Sequence, residues 1–123
     1  MTPVRVVLVE DNATFRETLE LLFGLRGEIQ VVASVASGDE APAVVRELRP
    51  DVVLMDYRMP GVNGAEATRL VLEANPETRV VCLTASVTAE EVDEVREAGA
   101  LAVVTKDEDF DRLIAVVCEA ARQ

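Results

Sequence analysis

The chain has 123 residues, a formal net charge of −11 and no histidine; half of its residues are hydrophobic, but only four are aromatic. That length suits one domain whose core is built from Val, Leu and Ala. Nucleic-acid binding draws on Lys and Arg set against phosphates, so a field this acidic argues against direct DNA contact, and the missing imidazoles exclude His-based acid–base chemistry and His metal ligation.

No apolar run reaches the eighteen or so residues of a membrane span, and "MTPVRVVLVED" at the start lacks the basic and long apolar segments of a signal peptide. A soluble cytoplasmic protein is expected. Cys82 and Cys118 form no CxxC pair and lie in apolar runs, so they read as buried free thiols.

In chain order, "VRVVLV" (4–9) predicts a first strand. A helix follows with Phe15, Leu19, Leu22 and Phe23 on one face, ending near Gly27. "IQVVASVA" (29–36) is the second strand. Pro42 is tolerable only near a first turn, so the second helix starts around Asp39 or Glu40 and buries Ala41, Val44, Val45 and Leu48. "DVVLM" (51–55) precedes a third helix with Ala67, Leu70, Val71 and Ala74 on one face. "RVVCL" (79–83) precedes a fourth helix near 88–98, opened by a Thr88–Glu91 capping box and closed by Gly99. "LAVVT" (101–105) and a helix carrying Phe110, Leu113, Ile114 and Val117 complete the chain. Continuous rather than alternating apolar strands suit a sheet covered on both faces. Five strands alternating with five helices predict a doubly wound parallel sheet, order 2-1-3-4-5, in one domain over 1–123 with no output domain in this chain.

Ligands in such sheets bind outside the carboxyl ends of the strands. After strand one come Glu10 and Asp11, after strand three Asp56, after strand four Thr84, and after strand five Lys106, the single lysine of the chain. Each has an ordinary explanation: Asp11 as a helix cap, Asp56 as a turn former, Thr84 as a cap. Together they do not, because carboxylates converging at ~5 Å repel by roughly 3 kcal/mol per pair at an effective dielectric of about 20. Such a cluster calls for a cation. Lys106 supplies one charge, and a hard oxygen-liganded ion, Mg²⁺, suits the remainder. The first turn, "VEDNATF", has no phosphate-cradling glycines and would repel a bare phosphate. The chemistry left is phosphoryl transfer to a carboxylate, with Asp56 as nucleophile at the central strand end. Mg²⁺ and Lys106 would neutralise the transferred oxygens, and the Thr84 hydroxyl could donate to one of them.

"VVLVEDN", "DVVLMDYRMPGVNG", "VVCLTA" and "GALAVVTK" resemble the receiver domain of bacterial two-component response regulators over nearly the whole chain. "DYRMPGVNG" and "TKDED" look most like the subfamily that often carries a C-terminal helix-turn-helix domain. The resemblance implies a flavodoxin/CheY-like fold and phosphorylation of Asp56 by the phosphohistidine of a sensor histidine kinase, so as to control an output domain or effector. It implies Mg²⁺ held by Asp11, Asp56 and the backbone carbonyl of Arg58, with Glu10 acting through water. It further implies phosphoryl contacts from Thr84, the Ala85 backbone N–H and Lys106, and a homodimer formed on phosphorylation. Such a domain is not a turnover enzyme; it hydrolyses at most its own aspartyl phosphate.

Two positions depart from the family. The fifth-strand aromatic that often reports the switch is Val103 here, and the proline that often follows the lysine is Asp107. A cis Lys106–Asp107 bond would cost ~3 kcal/mol more than trans, so trans is predicted. Two rival functions remain. A haloacid-dehalogenase-like phosphatase resembles a DxD arrangement, but Arg58 stands where its second acid should be and cannot donate a proton. A receiver-fold scaffold that signals without phosphate is kept open by Val103.

Overall fold

The computed structural model describes residues 2–123; residue 1 lies outside it. Strand β1 (Val4–Val9) leads to α1 (Ala13–Gly24), β2 (Ile29–Val35) to α2 (Ala41–Leu48), and β3 (Val52–Met55) to α3 (Gly64–Ala74). Then β4 (Arg79–Thr84) leads to α4 (Ala89–Ala98), and β5 (Ala102–Thr105) to α5 (Phe110–Ala121). All strand pairs are parallel, in the order β2-β1-β3-β4-β5. Among the described residues, no helix is long and apolar enough to cross a membrane.

Continuous apolar strands are used on both faces because successive side chains point to opposite sides. Val7, Val9, Val53, Met55, Val80 and Cys82 face one core with Val45, Val71 and Val95 of α2, α3 and α4. Val6, Leu8, Val52, Leu54, Val81, Leu83 and Val104 face the other, with Leu19 and Phe23 of α1 and Leu113, Ile114 and Val117 of α5. With one side of every strand spent on each core, the strand ends are what remains for chemistry.

The structure corrects two details of the sequence reading. Helix α1 stops at Gly24, not near Gly27; Leu25 closes it in ordinary right-handed geometry, its N–H donating to the Leu22 carbonyl while the Arg26 N–H donates to that of Phe23. Cys118 is free but only half-buried, whereas Cys82 is buried, and burial pushes its thiol up to about 12. The Lys106–Asp107 bond is trans, since no cis peptide occurs among the described residues. The loop that follows is held by side chains instead of a proline ring: Glu108 accepts the Thr105 N–H at 3.1 Å and Asp107 accepts the Thr105 hydroxyl.

Candidate functional site

The β1–α1 junction settles what Asp11 does not do. Asn12 caps α1, its side chain accepting the Phe15 N–H at 2.9 Å, a contact worth about 1 kcal/mol. Asp11 is thus exposed and free of capping duty. Likewise α4 is capped by Thr88 in a reciprocal box with Glu91, not by Thr84. With the caps filled by neighbours, the ordinary explanations of Asp11 and Thr84 fall away.

Glu10, Asp11 and Asp56 each offer an oxygen, and these oxygens lie within 4.8 Å of one another. Glu10 and Asp56 are buried at 3% and 4% exposure. Adjacent parallel strands make this inevitable: Val9 pairs with Met55, so the residues that follow them stand side by side. Lys106, arriving from β5, places its Nζ 2.6 Å from Glu10 Oε1 and 3.5 Å from Asp56 Oδ2. Burial pushes the Asp56 carboxyl up to about 6; the Glu10 charge adds to this, and Lys106 and the Arg58 backbone N–H oppose it. One ammonium is therefore too little for three acids, and the oxygen-rich donor set fits a hard divalent cation. Both Glu10 oxygens already have partners, Oε1 the Lys106 ammonium and Oε2 the Asn12 N–H at 3.0 Å. That leaves Asp11 and Asp56 as the more available carboxylates. The Arg16 guanidinium also fixes the Glu10 carbonyl at 2.7 Å.

The other positions are less closely gathered. Thr84 ends β4 fully buried, its hydroxyl donating to the Ser86 carbonyl at 3.4 Å, and Ala85 beyond it is exposed. The Arg58 side chain turns away from the acids to Glu91 of α4 at 2.7 Å. Val103 is half-buried against the core that α4 covers.

Three contributions were missed in the sequence. Gly64 opens α3 against the Asp56 strand end: a Cβ there would sit 2.5 Å from the Asp56 carbonyl oxygen and 2.6 Å from the Tyr57 Cα. The second glycine of "DYRMPGVNG" is the signal that could have found it. Tyr57 and Arg58, the two residues after Asp56, are both tied to α4, by Tyr57 Oη donating to Glu94 at 3.1 Å and by the Arg58–Glu91 pair. Phe15, read as core, has its ring centroid 4.5 Å from Lys106 Nζ.

Comparison with known proteins agrees with this geometry. The model of the response regulator receiver domain matches residues 6–118. The transcriptional regulatory protein LnrK of Bacillus subtilis is 36% identical over 114 residues, which are 93% of this chain and 52% of that protein. A two-component response regulator of the LuxR family from Aurantimonas sp. SI85-9A1 is 32% identical with a TM-score of 0.91, covering 98% of this chain and 86% of that one. The DrrB receiver domain is 26% identical with a TM-score of 0.81, covering 98% and 99%. The chain spans about half the length of the curated relatives it matches. With its fold, its acidic rim and 113 consecutive residues matched in common, the chain belongs to the receiver domains of response regulators, the phosphoryl-accepting switches of two-component signalling.

Proposed function

We propose that Asp56 is the phosphoacceptor, taking its phosphoryl group from the phosphohistidine of a sensor histidine kinase in the cytoplasm. The observation that carries this is the convergence of three carboxylates within 4.8 Å around a buried Asp56, with one lysine beside them. Asp11, Asp56 and the Arg58 carbonyl would hold Mg²⁺, and Glu10, both of whose oxygens are engaged, would act through water. The ion supplies charge neutralisation for the phosphoryl oxygens and the attacking carboxylate. Lys106 contributes a point charge on a flexible stem, and Thr84 and the Ala85 N–H contribute hydrogen bonds. The Thr84 hydroxyl has only a long bond to Ser86 to give up. Its exchange for a phosphoryl oxygen would convert phosphorylation into movement at the end of β4. The reader of that movement is an output domain or effector, with a phosphorylation-dependent homodimer as one form of response.

¹⁹F NMR with Mg²⁺ and beryllofluoride tests this, since the mimic binds at equilibrium without an acyl phosphate to hydrolyse. The DrrB receiver is known in a BeF₃-activated form, which makes the probe apt. Bound signals in the parent, dependent on Mg²⁺ and absent in Asp56→Asn, are expected. Their absence from the parent would transfer the assignment to a phosphate-independent scaffold.

A further inference from the structure

Lys106 is the only lysine in the chain, and its ammonium has three N–H donors to place. One side meets Glu10 at 2.6 Å and another faces Asp56 at 3.5 Å. A third lies against the Phe15 ring, 4.5 Å from the centroid, well inside the ~6 Å over which a cation is drawn to an aromatic face. The lysine side chain is only 18% exposed, so little water competes for that charge. Phe15 stands in the first turn of α1, and the Asn12 cap on its own N–H fixes that turn. It is half-buried at the rim of the core, unlike Phe23 of the same helix, which is fully buried. The ring is thus placed to serve the site as much as the core.

We propose that Phe15 is a positioning residue for Lys106: its ring face holds the ammonium inside the acidic cluster while Glu10 is exchanged for a phosphoryl oxygen. The inference rests on the reading of Asp56 as phosphoacceptor. The 2.6 Å ion pair is the closest contact of the ammonium, so an incoming anion competes with Glu10 for the lysine. The ring centroid is 4.5 Å away, so a shift of about 1 Å that breaks the ion pair still leaves the ammonium within the ~6 Å reach of the ring. Without the ring, the four-carbon stem would be free to carry the charge out to solvent, and docking it again would cost side-chain entropy. Leucine at position 15 would fill similar space with no negative face to offer.

Because there is one lysine, lysine-selective ¹³C labelling gives one Cε–Hε signal with no assignment problem. In the ligand-free parent the Hε resonance should lie upfield, shifted by the ring current. It should return toward the unstructured value in Phe15→Leu and stay upfield in Phe15→Tyr. At saturating Mg²⁺, Phe15→Leu should bind beryllofluoride roughly 3- to 10-fold more weakly, the span expected for a partly desolvated cation–π contact. Phe15→Tyr should remain within about twofold of the parent, and Mg²⁺ affinity should be unchanged in both. In a Lys106→Ala background, Phe15→Leu should add nothing. An unshifted Hε in the parent, or a Leu variant matching it in affinity, would overturn the proposal. So would a Leu effect that persists undiminished without Lys106, because the ring would then act by packing alone. Thermal melting of the Leu and Tyr variants separates any folding defect from these effects. A parent that binds no beryllofluoride would sink the phosphoacceptor reading instead, and the ring-current shift, which needs no ligand, would still decide the contact.

Discussion

At the N-terminal edge of the sheet, Asp51 accepts the Arg5 backbone N–H at 2.8 Å, and its own N–H and carbonyl engage the Arg5 carbonyl and the Arg79 N–H. Nearby, Asn75 donates to the Thr78 hydroxyl, which donates to the Pro50 carbonyl. Each of these polar groups finds a complement among its neighbours. At the C-terminal edge, Glu10, Asp11 and Asp56 face one another with a single lysine among them. One edge is organised for stability, while the other holds like charges together at a cost that a bound cation would relieve. The same sheet makes both, and the contrast separates site from scaffold without reference to any relative.

The largest expected effect comes from Gly64→Ala. Its Cβ would press on backbone atoms at 2.5 and 2.6 Å, and overpacking against backbone costs up to about 3 kcal/mol. Denaturant melts should show that loss, and an unchanged midpoint would mean that α3 does not set the Asp56 strand end.

Next is Asp56→Asn in metal-free buffer, which should stabilise the fold. The folded carboxyl titrates at about 6, above its ordinary value of 3.8. Between those values the folded state keeps a proton that the unfolded state has lost, so the parent loses stability as pH rises from about 4 to 6 and stays level above. At about 1.4 kcal/mol per pKa unit the shift sets a ceiling of about 3 kcal/mol, which solvent screening lowers to about 2 kcal/mol for the variant's gain at pH 7.5, with the gap closing near pH 4. A gap of the opposite sign would remove the strain from the acidic rim.

Asp51→Ala at the other edge should instead destabilise by about 1 kcal/mol, because the Arg5 N–H loses its acceptor. Asparagine would still accept that bond, so alanine is the informative change. Stabilisation by both aspartate replacements would dissolve the contrast between the two edges. The smallest effect belongs to Arg58→Ala. Its pair with Glu91 is half exposed on the arginine side, and such pairs contribute about 0.5 kcal/mol. A loss well above that would make the tie between the Asp56 loop and α4 a structural member.

The strands were legible because continuous Val-rich runs of four to seven residues leave little choice of register, and the residue after each run then falls on the rim. The same logic brings Glu10, Asp11, Asp56 and Lys106 together from the sequence alone. Helix ends were less legible. Gly27 invited a left-handed cap, but the chain closed α1 two residues earlier with Leu25. Arg49, a non-glycine, took the left-handed cap of α2 at φ 47°. What the sequence hid in the site are contacts across loops: Phe15 on Lys106, Glu91 on Arg58, Glu94 on Tyr57. These depend on how α1 and α4 lean against the sheet, which periodicity does not encode. Val103 is one of the two positions where the sequence marked a departure, and it lies half-buried against the core beneath α4.

Chemical mapping of the phosphoryl group is the most direct measurement. The protein would be treated with Mg²⁺ and a small acyl phosphate, reduced with borohydride, digested and read by mass spectrometry. Reduction turns an aspartyl phosphate into homoserine and so marks the residue that carried it. Homoserine at position 56 alone, and only when Mg²⁺ is present, is the predicted result. Homoserine at Asp11 or elsewhere, or labelling at position 56 that ignores Mg²⁺, would contradict the assignment of the acidic rim.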